Sequence, residues 1–114
     1  MSHLTILPTV LRDAELLASS LRSLGLTPLP RQKLQGFAGE IIEVDLALRV
    51  GPELLIGWRR EADGRLNLIG DLQRISRHQS LQALLGQITR AYAAHRAVAE
   101  AARALPQADL HLSV

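Results

Sequence analysis

Hydrophobic and polar positions along this chain alternate in two rhythms, and the places where the rhythm changes mark its elements. Over "EIIEVDLALRV" Ile42, Val44, Leu46, Leu48 and Val50 alternate with Ile41, Glu43, Asp45, Ala47 and Arg49. Strict period-two spacing predicts a strand with one buried face, here Ile42 to Val50. Gly51 and Pro52 interrupt it, and "ELLIGWRR" begins the next strand. "ADG" at 62 to 64 supplies the positive φ that a tight hairpin needs, so "RLNLIGDL" returns as the partner strand.

Residues 3 to 11 form a short apolar segment broken by Pro8, which suits an edge strand. Asp13 then reads as a helix N-cap, because Ala14, Leu17, Leu21 and Leu24 recur at helical spacing until Gly25 supplies the stop. Pro28 and Pro30 reduce the following stretch to a weak strand at about 31 to 36, with "GFAG" at 36 to 39 as its turn. A polar loop, "QRISRHQS", leads into the longest helix, roughly 79 to 104, with Ser80 near its cap and Pro106 beyond its end. The tail alternates Leu110, Leu112 and Val114 with polar residues and predicts a last strand. The order is β-α-β-β-β-β-α-β. It predicts a single α+β domain over residues 1–114, a two-layer sandwich in which two helices cover a mainly antiparallel sheet of five to six strands.

Within the long helix, Leu81, Leu84, Leu85, Ile88, Tyr92, His95, Ala99 and Ala102 fall in one apolar stripe. Tyr92 and His95 therefore point toward the sheet, where the expected role is to fill the core while a hydroxyl and a ring nitrogen each find a hydrogen-bond partner. The opposite face carries Gly86, Arg90, Ala93, Ala94, Ala97 and Ala101. It is small and poorly charged for an exposed helix, which fits either a close-packing surface for a partner helix or simply the helix propensity of alanine.

Composition narrows the chemistry. A chain of 114 residues builds one core, and with Phe37, Trp58 and Tyr92 as its whole aromatic set that core is aliphatic. The absence of cysteine removes disulfides, thiolate metal sites and thiol nucleophiles, and fits a reducing, cytoplasmic setting. "MSHLTILPTVLRDAE" lacks the basic start and continuous apolar run of a signal peptide, and no stretch reaches bilayer-spanning length, so the chain reads as soluble with no membrane partner. The pI of 9.9 overstates the charge. Twelve of the 13 basic residues are arginine, and the formal net charge is only +2.

Five segments carry a resemblance: "MSHLT", "SLGL", "FAGEIIEVDL", "LIGW" followed by "GRLNLIGDL", and "QITRAYAAH". Their order over residues 1 to 98 resembles that in the hypothetical chloroplast reading frame thirty-five family, small proteins of algal plastid genomes, cyanobacteria and other bacteria. The resemblance carries over recurrent polar positions at His3, Asp45, Asp71, Tyr92 and His95. It implies no established activity. Neighbouring genes in bacteria imply an accessory subunit in the company of AAA-type ATPases. Family members commonly have a longer C-terminal hairpin than this chain.

His3, Asp45, Asp71 and His95 are of the types that bind divalent metals or perform acid–base work. No HxH or HExxH spacing supports a site, and Asp45 belongs to the polar set of its strand while His95 faces the covered side, so no metal and no cofactor is expected. Arg59, Arg60, Arg65, Arg74 and Arg77 gather around the hairpin and the loop after it, an arrangement that suits an anion. Glu61 and Asp63 dilute the group and no aromatics accompany it for base stacking, which disfavours nucleic acid. Phosphate loops, dinucleotide fingerprints and nucleophile elbows are absent from the sequence. The chain reads as a non-enzymatic interaction or accessory module, its partner a protein such as an AAA-type ATPase or a second copy. Anion binding through the hairpin arginines and a metal-assisted enzyme using His3, Asp45 and His95 stand as alternatives.

Overall fold

The computed structural model describes residues 4–36, 39–51, 54–71 and 79–104. The elements are β1 (Leu4–Pro8), α1 (Ala14–Ser23), β2 (Leu29–Gln35), β3 (Ile41–Arg49), β4 (Leu55–Arg60), β5 (Leu66–Asp71) and α2 (Gln79–Ala104). All strand pairs are antiparallel, in the order β1-β5-β4-β3-β2. The expected α+β class holds, with two helices against one five-stranded sheet. The strand expected at 110 to 114 lies outside the described residues. β2 starts at Leu29 rather than Arg31, because a proline at the second position of an edge strand costs little.

α1 is bounded by its own chemistry. The Asp13 carboxylate accepts from the backbone N–H groups of Glu15 (2.9 Å) and Leu16 (3.1 Å), satisfying two donors that the first turn leaves open. At the other end Gly25 takes φ +79°. Leu26 N–H then reaches Leu21 O, and Gly25 N–H reaches Arg22 O, both at 3.0 Å. This is the Schellman closure, with Leu26 packed on the same core as Leu21. Asp13→Ala is expected to cost about 1 kcal/mol, read as a lower urea midpoint with an unchanged slope.

The main core lies between the helices and the sheet. Leu17 and Leu21 of α1 and Leu81, Ile88 and Tyr92 of α2 close over Leu46, Leu48, Ile56, Trp58, Leu66 and Leu68. Trp58, only 1 % exposed, is the largest side chain in it. Leu81, Leu85, Ile88 and Tyr92 follow one another at steps of four, three and four residues, which keeps a single seam of α2 on the core.

The single buried face expected for residues 42 to 50 divides in two. Leu46 and Leu48 join the helix-side core, whereas Val44 joins Leu34, Ala47 and Ile69 in a second cluster, with Leu4, Leu29, Ile42 and Leu55 against it. Val44 and Ala47 are three residues apart and can share a face only if β3 bends between them. The bend is visible in the pairing: β3 and β4 stay in register only from Leu46–Trp58 to Arg49–Leu55. Arg60 N–H instead donates to the Asp45 carboxylate at 2.7 Å. Arg31, opposite Asp45 on β2, takes φ +52°.

Beyond this elbow the β2–β3 hairpin crosses the sheet's outer face. Val44 sits over Gly57 of β4, where an added Cβ would come within 2.8 Å of it. Leu34 then packs in one cluster with Ile69 of β5, and the tip reaches β1, where Leu4 N–H donates to Glu40 Oε1 at 2.9 Å. Strands that turn a corner in this way build a second core from one sheet. The same contact protects the β1 edge. Leu4, Ile6 and Pro8 share the parity that faces away from β5. Leu4 N–H is taken by Glu40 and Pro8 has none, so Ile6 alone offers a strand donor on that edge.

Candidate functional site

Tyr92 is 4 % exposed, and its hydroxyl oxygen accepts from the backbone N–H groups of Arg12 (3.1 Å) and Asp13 (3.0 Å). One side chain therefore joins α2 to the residues that open α1, and its geometry is that of a fastening. His95, one helical turn on, departs from expectation. It is half-buried, and no hydrogen bond to it forms among the described residues. It stands three residues past Tyr92, the last buried residue of α2.

The carboxylates and histidines do not assemble. Asp45 is exposed at the elbow with one oxygen committed to Arg60 N–H. Asp71 is buried at the far end of β5, opposite Leu4, two strands and about four strand positions away, on the order of 15 Å. His3 lies outside the described residues. Among those described, no three His, Asp or Glu side chains come together as metal ligands.

The hairpin arginines also separate. Arg59 shares the outer face with Gly57, while Arg60, next in the strand, faces the helix side. Arg59 Nε pairs with Glu61 at 2.8 Å, Arg65 sits in the turn, and Arg74 and Arg77 lie outside the described residues. The elbow creates a different grouping. An open concavity of about 430 Å³ between the crossing hairpin and β4 is lined by Arg31, Gln32, Lys33, Glu43, Val44, Asp45 and Arg59. Sequence reasoning missed it, since its cations come from segments nearly thirty residues apart. The available signal was Arg31 itself, directly after Pro30 and three residues past Pro28, and facing Asp45 once the register is known.

On the helix side, Pro8, Val10, Trp58, Leu68, Leu85, Ile88 and Thr89 line a smaller apolar notch of about 190 Å³. Past Tyr92, α2 continues from Ala93 to Ala104, roughly 18 Å at the helical rise. Of the six residues on its small face, Arg90, Ala93, Ala94 and Ala97 are exposed and Gly86 and Ala101 half-buried. Among the described residues no helix is long and apolar enough to cross a membrane.

No curated protein and no solved structure matches the chain. A family model does match, over residues 20–106, which takes in the last turn of α1, four of the five strands and the whole of α2. By that match the chain belongs to the family described as "Protein of unknown function (DUF1257)".

Proposed function

We propose that this chain is a non-enzymatic interaction or accessory module that docks on a protein partner through the C-terminal half of α2. The observation that supports this reading is the helix's continuation for three turns beyond its last buried residue. Helices draw most of their stability from packing, and among the described residues no side chain of this stretch belongs to either core cluster. Its side chains are small, with Arg96 and Glu100 paired along the helix at 2.9 Å, so a second helix can approach closely. The β1 edge is a poorer dock, for Ile6 alone keeps a donor there. The partners that suit the reading are an AAA-type ATPase or a second copy, in keeping with the resemblance to the chloroplast reading frame thirty-five family.

Ala97→Glu tests it. The side chain is exposed, so stability is expected to change by less than about 0.5 kcal/mol. Light scattering on the full chain, alone and mixed with the ATPase, is expected to show a complex that the variant loses. A strictly monomeric wild-type chain that captures neither would overturn the proposal.

A second reading, anion binding, is favoured by the concavity at the elbow. It moves from the hairpin arginines as a set to Arg59 in company with Arg31 and Lys33.

A further inference from the structure

Arginine is a poor choice at position 31 on conformational grounds. Its φ of +52° lies in the left-handed region, where a side chain collides with its own backbone and glycine is at no disadvantage. A strained residue of this kind persists where its side chain has a task. For Arg31 that task is not structural: it is exposed, and it makes no hydrogen bond or ion pair among the described residues, not even to Asp45 in register across from it. The strain buys nothing inside the fold.

Its neighbours show what it faces. Lys33 meets Glu43 only at 3.9 Å, and both side chains are largely in water, a pairing worth little. Arg59 gives Nε to Glu61 and keeps its two terminal nitrogens. Asp45 already has one oxygen occupied by Arg60 N–H. Glu43 and Asp45 hold the local excess of positive charge down, yet three cationic donors from two segments converge on one concavity. We infer that the elbow concavity binds a phosphoryl dianion, with the Arg31 guanidinium as its principal donor and Lys33 and Arg59 beside it. Guanidinium matches tetrahedral oxyanions through paired N–H groups. A volume of about 430 Å³ exceeds a bare ion and falls in the range of small-molecule sites, which points to a phosphate ester of a small organic molecule. The inference deepens the second reading and is independent of docking through α2, which a negative result here leaves untouched.

Titration of the isotope-labelled full chain with inorganic phosphate, and separately with glycerol 3-phosphate, tests it by backbone amide shifts. Saturable shifts at residues 31, 32, 33 and 59 are expected below about 10 mM. Tighter binding of the ester identifies an esterified ligand, and equal binding identifies the free ion. Arg31→Gly is expected to weaken binding at least about tenfold without lowering the Tm, because it removes the donor and the strain together. Lys33→Gln, on an exposed side chain, is expected to weaken binding by a smaller factor with the fold intact. The absence of saturable shifts with both probes, unchanged affinity in Arg31→Gly, or a Tm that falls in that variant would each overturn the inference.

Discussion

Replacing Gly57 with alanine is expected to destabilise the protein by about 3 kcal/mol, lowering the Tm by more than about 10 °C. Gly57 lies in the middle of the sheet, between Ala47 and Ile69, where a small side chain would ordinarily be tolerated. The cost arises because the crossing hairpin rests on it. A Cβ there would stand 2.8 and 2.9 Å from the two Val44 methyl carbons and 3.0 Å from Val44 Cβ. Val44 is β-branched and 4 % exposed, so it cannot rotate out of the way, and the strain passes to the elbow. Val44→Ala alone is expected to cost about 2 kcal/mol through lost burial. The double variant is expected to cost less than the sum by at least about 1 kcal/mol, since the truncated side chain makes room. Thermal and urea unfolding of the four proteins would measure this; additive costs would mean that the hairpin does not rest on Gly57.

The elbow also explains which parts of the structure were legible in the sequence. Asp13, Gly25 and the "ADG" turn act within a few residues of themselves, and each does locally what its type dictates: a cap, a stop at φ +79° and a hairpin with Gly64 at φ +88°. The seam from Leu81 to Tyr92 was legible for the same reason, since helical periodicity is a local property. The bend at Asp45 was not. Nothing in "EVDLALRV" disturbs the alternation, and the switch of faces is set by contacts far along the chain: Arg60 N–H on Asp45, Val44 on Gly57, Leu4 on Glu40. The candidate site inherits that division. Tyr92 could be assigned inward from its place in the stripe, but the concavity exists only because the bend brings Arg31 and Lys33 to Arg59, and residues 59 and 60, adjacent in sequence, part to opposite faces. His95 shows the limit of the stripe itself, for periodicity gives a side chain's direction and leaves open whether any sheet lies beneath it.

Tyr92→Phe is expected to cost about 2 kcal/mol even though the ring remains. The variant keeps every apolar contact and deletes one oxygen, but that oxygen accepts two backbone donors, from Arg12 and Asp13. No described group stands ready to replace it. The two amides sit in the short segment that turns β1 into α1, so the loss acts on the helix cap as well as on α2. Hydrogen exchange at residues 12, 13 and the first turn of α1 is therefore expected to accelerate more than exchange in β4, which global destabilisation alone would move as much. His95→Ala provides the contrast. With its ring half-exposed and no bond to it among the described residues, it is expected to shift stability by less than about 0.5 kcal/mol. A phenylalanine variant as stable as the wild type would show that water already serves those amides. The fastening across the two helices would then lie in the ring and its burial, with no part left for the hydroxyl.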